Sequence, residues 1–248
     1  MSRPLSQHFL VDRAAAARIV DSADIHAGDR VLEIGPGHGE LTGLILERGA
    51  KLTAIEIDRR LAGELMLSHP GLEVTVEDAT KVLWPACDVF ISNVPYHVTS
   101  PILMRLLEHD YKRAVLTVQK EYAERMVAGP GTKDYSRLSI AVYCRAVCEN
   151  LGTLPPGAFS PPPKVSSSIV RLRPRRFPFK VMDRKLYYEL VRVLFSHRRK
   201  MIGTTLRRSF GVPTGVDVPF ERQRVEELAP EEIAKIADAV AMSRRASG

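Results

Sequence analysis

Between Arg30 and about Gln119, short β-rich runs alternate with helical ones: RVLEI then GELTGLILERG, KLTAIEI then DRRLAGELMLSH, and on through LEVTVED, CDVFISN, SPILMRLLEH and RAVLTVQ. Alternation at this spacing predicts an α/β fold, a doubly wound parallel sheet with helices on both faces. Upstream, Asp12 is placed to cap a helix through AAAARIVDSA, with Ala15, Ile19 and Val20 turned inward. Downstream, a helix around EYAERMV ends at a GPG turn, and a second helical run follows through SRLSIAVYCRAV. Five prolines between Pro155 and Pro163 then make a stiff loop, and VSSSIVRLRP reads as one more strand. RPRRFPF looks like a boundary, because Asp183 to Met242 is helical in pattern, with Pro230 and two glutamates suiting the first turn of the last helix. The expected division is an α/β domain over 1–176 and a small α-helical domain over 177–248.

Composition narrows the class. With 45% hydrophobic and 26% charged residues, 17 Pro and 16 Gly in 248, the chain is neither collagen-like, low-complexity nor wholly disordered. No run approaches the roughly 18 apolar residues of a membrane span, and MSRPLSQHFLVDR lacks the apolar segment of a secretory signal, so a cytoplasmic protein with no membrane partner is expected. Cys87, Cys144 and Cys148 suggest neither a disulfide framework nor a zinc knuckle, and no metal is expected; Cys144 and Cys148, four apart on a predicted helix, read as core packing. The formal charge of +7 is unevenly spread: residues 161–210 carry 14 Lys and Arg against only Asp183 and Glu189. Such a one-sided basic block is the footprint expected for a polyanion, usually nucleic acid.

The sharpest local signal is VLEIGPGHGELT, a β run turning through Gly35, Gly37 and Gly39 into a helix. Glycines in the first βα turn of a dinucleotide-type fold let the backbone approach a ligand closely. Glu56, 21 residues beyond Gly35 at the end of the next strand, can accept hydrogen bonds from both ribose hydroxyls of an adenosine-containing cofactor. Asp78, ending the third strand, can accept from the adenine amino group, or can simply cap a helix. The spacing is G-x-G-x-G, without the G-x-G-x-x-G that cradles a pyrophosphate, which points to S-adenosylmethionine rather than NAD.

The fourth strand ends in Asn93-Val94-Pro95-Tyr96, where ligands of open parallel sheets bind. The Asn93 amide oxygen and the Val94 carbonyl, held by Pro95, can accept both hydrogens of an exocyclic amine and stabilise positive charge on its nitrogen as a methyl group arrives. Tyr96 offers an aromatic face for a base, worth about 1–3 kcal/mol per base stacked.

GPGHG, Glu56, Asp78-Ala79 and NVPY, in this order, resemble the adenine-amino methyltransferases. With Gln7-His8-Phe9-Leu10, FSPPPKV at Phe159 to Val165 and FSHRRK at Phe195 to Lys200, the chain is similar over nearly its whole length to the small-subunit ribosomal RNA adenine dimethyltransferases. The resemblance implies a Rossmann-like methyltransferase domain that dimethylates two adjacent adenosines in the 3′-terminal hairpin loop during ribosome biogenesis. It also implies a pre-ribosomal particle as partner and a monomeric enzyme. By the same resemblance His8 and Leu10 contact S-adenosylmethionine, Gly35 lies beneath its methionine part with Gly37 also in the cofactor site, Glu56 binds its ribose, Asp78 and Ala79 its adenine, and Asn93 both cofactor and target. Phe159 would face Tyr96 across a flipped adenine, a step that costs least in a loop. Lys164, Arg198, Arg199, Lys200, Arg207 and Arg208 would track RNA phosphates. Ser6, where the family commonly has Gly, and Glu77, where Gly often precedes the acidic residue, depart from the pattern, and the helical tail is short.

Two rival readings remain at this stage. One is a large-subunit RNA methylase of the antibiotic-resistance type, which shares the cofactor and NVPY-type motifs; FSPPPKV and FSHRRK favour the small subunit. The other is a non-catalytic assembly factor, against which the intact glycines, Glu56, Asp78 and Asn93 argue. A DNA adenine methyltransferase has too few residues left for a target-recognition domain.

Overall fold

The computed structural model describes residues 8–246. Ser6 and Gln7 lie outside the described residues. Contacts divide the chain into two compact units, one holding residues up to Ala123 together with Ala146–Pro174, the other Glu124–Arg145 together with Arg175 onward. A single boundary at residue 176 therefore matches only the last crossing of the chain, since the segment 124–145 packs in the second unit.

The first unit opens with β1 (Phe9–Leu10) and α1 (Arg13–Ser22). It continues through β2 (Arg30–Ile34), α2 (Glu40–Glu47), β3 (Lys51–Glu56), α3 (Arg59–Ser68), β4 (Glu73–Val76), β5 (Val89–Asn93), α4 (Thr99–Leu106) and β6 (Arg113–Gln119). Asp12 caps α1 as the sequence predicts, its carboxylate accepting from Ala14 N at 2.9 Å and Ala15 N at 3.0 Å, and the helix buries Ala15, Ala16, Ile19 and Val20. After α5 (Lys120–Val127) and α6 (Arg137–Arg145) come β7 (Ala146–Leu154), β8 (Phe159–Ser160) and β9 (Ser167–Pro174).

Seven strands form one sheet in the order β4-β3-β2-β5-β6-β9-β7. The strands from β4 to β6 pair in parallel, as expected from the alternating pattern. β9 runs antiparallel to both β6 and β7. The proline-rich link between β7 and β9 contains no α-helix of the kind that usually carries a parallel crossover, and the chain turns back on itself instead. β7 itself corrects the sequence reading, which ran a helix on into this segment. Its residues find a ladder along β9 from Ala146↔Pro174 to Leu154↔Ser167, and pairing of that length overrides a local helical pattern. Cys144 and Cys148 consequently sit on α6 and β7 rather than on one helix.

β2 lies inside the sheet, with β3 and β4 on one side and β5 and β6 on the other, so the strand order reverses there. The β2–β5 ladder runs from Val31↔Val89 to Glu33↔Ile91, and one step later the Ser92 hydroxyl donates to the Ile34 carbonyl at 2.7 Å. Beyond this point the two strands feed separate loops, the place where such sheets open a ligand crevice. At the opposite end, Asp88 holds the strand starts together, accepting from Arg30 N and Nε at 3.1 Å and pairing with Lys112 Nζ at 3.1 Å.

The second unit is helical, built from α6, α7 (Arg184–Ser196), α8 (Ile202–Phe210) and α9 (Pro230–Ala246). Its core includes Tyr135, Tyr187, Leu190, Ile202, Leu206, Ile233 and Ile236. The two buried phenols find acceptors, Tyr135 at the Leu228 carbonyl (2.9 Å) and Tyr187 at the Pro230 carbonyl (3.3 Å), as most buried hydroxyls do. Among the described residues no helix is long and apolar enough to cross a membrane.

Candidate active site

The crevice at the carboxyl ends of β2, β3 and β5 is an open cavity. Every cofactor and catalytic residue expected from the sequence lines it: His8, Leu10, Gly35, Gly37, Glu56, Asp78, Ala79, Asn93, Val94, Pro95, Tyr96 and Phe159.

Its floor is the turn after β2. Gly37 and Gly39 have φ of +60° and +93°, and a Cβ on Gly39 would come within 2.8 Å of Leu65 Cδ1, so no other residue fits without displacement. Glu56 ends β3 beside this turn and is 3% exposed. One of its oxygens accepts from Gly37 N at 3.2 Å and the other from Asp58 N at 2.9 Å, which fixes the carboxylate and leaves each oxygen a further lone pair. A pair of free acceptors on one rigid carboxylate suits the two neighbouring hydroxyls of a ribose.

Asp78 caps no helix, against its alternative reading; it closes a turn instead. Its Oδ1 accepts from Thr80 N at 2.9 Å and Thr80 Oγ1 at 2.7 Å, and its Oδ2 pairs with Lys81 Nζ at 3.2 Å. Those Thr80 hydrogen bonds, with a lesser contribution from Lys81, hold its pKa below the usual carboxylate value. The carboxylate is thus anionic and oriented, with remaining acceptor capacity at the cavity wall. Next to it, the Ala79 carbonyl accepts from Trp84 Nε1 at 2.8 Å, and Arg105 lies 4.9 Å over the Trp84 ring, so the wall is braced from behind.

Above the floor, Asn93 ends β5. Its Nδ2 donates to the His8 carbonyl at 3.3 Å, leaving Oδ1 as the side chain's unengaged acceptor. Val94 N donates to the Thr117 carbonyl at 3.1 Å, anchoring the turn to β6, and Val98 N donates to the Pro95 carbonyl at 3.0 Å, closing a short 3₁₀ turn over Tyr96–Val98. β1 and β8 form a separate two-stranded ribbon, with Phe9 opposite Ser160 and Leu10 opposite Phe159. This strap brings His8 and Leu10 to the same cavity as Phe159, which is 3% exposed. His97 also lines the cavity and is exposed at its rim.

Among the lining residues that the sequence reading does not single out, one is a buried acid. Glu33 on β2 is 1% exposed, and its carboxylate accepts from Thr42 Oγ1 at 2.7 Å. The available signal was an acid inside the otherwise apolar run VLEI of a central strand, where a charge is rarely left without purpose. Burial raises this carboxyl from its ordinary 4.5 to about 8, against the opposing pull of the Thr42 hydrogen bond. Between those values the folded chain binds a proton that the unfolded chain releases, so Glu33 makes stability fall as pH rises through that window. Glu33→Gln keeps an acceptor for Thr42 and should remove this slope. Thermal unfolding without ligand should show the variant gaining on the parent between pH 5 and pH 8; an equal difference at both values would mean that Glu33 is ionised in the fold.

The basic residues divide. Arg198 is tied into the second unit by an ion pair with Glu226 and by bonds to the Lys133 carbonyl at 2.9 Å and the Thr132 carbonyl at 3.1 Å. Arg207 pairs with Glu221 at 2.9 Å. Of the six read as RNA contacts, these two are therefore engaged in holding the unit together, and sequence spacing alone could not show it. Lys164, Arg199, Lys200 and Arg208 are exposed. Among the described residues no group of three or more His, Cys, Asp or Glu side chains is arranged to hold a metal ion.

Comparison with known proteins gives a consistent set of likenesses. The family model described as "Ribosomal RNA adenine dimethylase" matches residues 2–242. A protein of Methanothermobacter thermautotrophicus named "Probable ribosomal RNA small subunit methyltransferase A" is 42% identical over 250 residues, covering 96% of this chain and 90% of its own. A protein of the same name from Pyrobaculum islandicum is 43% identical over 235 residues, covering 94% and 93%. Among solved structures, a dimethyladenosine transferase from Plasmodium falciparum superposes with a TM-score of 0.80 at 31% identity, covering 92% of this chain and 96% of that one. The 23S rRNA methyltransferase ErmE superposes with a TM-score of 0.71 at 28% identity, covering 94% and 99%.

Proposed function

The chain belongs to the ribosomal RNA adenine dimethylase family, and from that premise we propose how its cleft works and on which adenosines. The activity is S-adenosylmethionine-dependent dimethylation of adenine amino groups in small-subunit ribosomal RNA. The proposed targets are two adjacent adenosines of the 3′-terminal hairpin loop, presented by a pre-ribosomal particle to a monomeric, cytoplasmic enzyme. The observation that carries the site assignment is the meeting, in one cavity, of Glu56 and the glycine turn with the Asn93–Tyr96 turn.

The residues fit an adenosine-bearing methyl donor. Glu56 presents two free lone pairs, Asp78 and Ala79 stand at the wall, and Gly35 and Gly37 offer backbone without side chains. When bound, S-adenosylmethionine supplies an electrophilic methyl group. Asn93 Oδ1 and the Val94 carbonyl accept the hydrogens of the target amine and stabilise the positive charge that grows on its nitrogen, an electrostatic contribution prepared before the reaction begins. The displaced proton leaves a nitrogen that is already cationic, so no strong base is required. After the first transfer one hydrogen remains for the same acceptors, and the second transfer repeats the first. Tyr96 and Phe159 offer aromatic faces to the extruded base, offsetting the few kcal/mol, roughly, that extrusion costs.

Labelled S-adenosylmethionine, incubated with unmethylated small-subunit particles and followed by nucleoside mass spectrometry, tests the assignment. Dimethyladenosine confined to the 3′-terminal hairpin is the expected product. Label in another segment would move the target, and cofactor binding without transfer would favour the assembly-factor reading.

A further inference from the structure

The hydroxyl of Tyr96 meets Ser167 Oγ at 2.7 Å. Ser167 is 0% exposed and opens β9, in register with Gln119 of β6 on one side and Leu154 of β7 on the other. The partner of the Tyr96 hydroxyl is therefore fixed by the interior of the sheet and not by a loop. We propose that Ser167 is a positioning residue for methyl transfer, pinning the far end of Tyr96 so that its ring stands ready for the target base. The proposal rests on the reading of Tyr96 as the base-stacking residue.

A tyrosine side chain turns about two torsions, and the turn that holds the Tyr96 backbone restrains neither directly. A hydrogen bond at the far end of the ring restrains both. The ring also lies 5.6 Å from that of His8, tilted by 37°, so an unpinned ring has an aromatic neighbour to lean toward. Burial raises the Tyr96 pKa above its ordinary 10, so the phenol stays neutral and hydrogen-bonded at working pH. Without Ser167 Oγ, this shielded hydroxyl has to find another partner, and the ring would move with it.

The next residue supplies a control. Ser168 is equally buried, points to the opposite face of the sheet by the alternation of a strand, and its Oγ has no hydrogen-bond partner. With unmethylated small-subunit particles as substrate, Ser167→Ala should lower kcat/KM for the particle by about tenfold, the size of one net hydrogen bond, with S-adenosylmethionine affinity unchanged by calorimetry. Ser168→Ala should leave both unchanged. Tyr96→Phe should match Ser167→Ala, and the double variant should fall no further, because one interaction is removed in each case. Wild-type kcat/KM in Ser167→Ala, or additive losses in the double variant, would overturn the proposal; if Ser167→Ala does not fold, wild-type kcat/KM in Tyr96→Phe does so.

Failure of the substrate reading would appear separately, as a wild-type protein inactive on the particle. The pin is then read without substrate, from NMR spectra of protein carrying ¹³C-labelled tyrosine, with the Tyr96 signals assigned through Tyr96→Phe. Ser167→Ala should shift and average the Tyr96 ring signals while Ser168→Ala leaves them in place, and unchanged signals in Ser167→Ala would refute the pin.

Discussion

Replacing Asn93 with alanine is expected to lower turnover by about 10²–10³-fold, the loss seen when one preorganised hydrogen-bonding group is removed from a charge-stabilising site, while cofactor affinity changes far less. The asymmetry follows from where its two ends point. Asn93 Nδ2 is engaged with the His8 carbonyl at 3.3 Å, so in the proposed mechanism Oδ1 is the end left to accept from the target amine. That oxygen gains most when the target nitrogen becomes positive, a condition absent from the complex with cofactor alone. Single-turnover methyl transfer together with calorimetric binding separates the two quantities. Near-normal turnover in Asn93→Ala would remove this residue from the role of amine acceptor.

Glu56→Ala should act in the opposite sense, weakening S-adenosylmethionine by about a hundredfold or more, since hydrogen bonds to a charged group contribute about 1.5–3 kcal/mol each and two are lost. The same change strands the amides of Gly37 and Asp58, which the carboxylate now accepts at 3.2 and 2.9 Å, so a lower unfolding temperature should accompany it. Glu56→Gln separates the effects, because its single carbonyl oxygen can still accept one of these amides. Wild-type affinity in Glu56→Ala would mean that the ribose lies elsewhere in the cavity.

The parts of this site legible in the sequence are those fixed by short-range geometry. A glycine turn after a β run, an acid closing the next strand and Asn-Val-Pro-Tyr closing another all obey the rule that parallel strands deliver their carboxyl ends to one edge, and the sheet does bring them into one cavity. What depends on distant pairing was not legible. β7 was hidden because its partner β9 lies beyond the proline loop, and 124–145 was assigned by chain order although its contacts are with residues after 175. Arg198 looked like the neighbouring Arg199 until Glu226, 28 residues away, engaged it. Glu33 was visible as a letter but not as a buried acid, because burial is a property of the whole sheet. Ser167 was one of three adjacent serines, and only the alternation of a strand decides which of them reaches Tyr96.

The strap of β1 and β8 has a consequence for the order in which the protein is made. His8 binds the Pro161 carbonyl at 2.7 Å across 153 residues of chain, and Phe9 pairs with Ser160 alongside it. On a translating ribosome the first of these residues emerges long before the second exists. Closing so long a loop is a non-local event, the kind that slows folding. Nascent chains shorter than 160 residues lack one strand of this strap, so it cannot close until nearly two thirds of the polypeptide has been made.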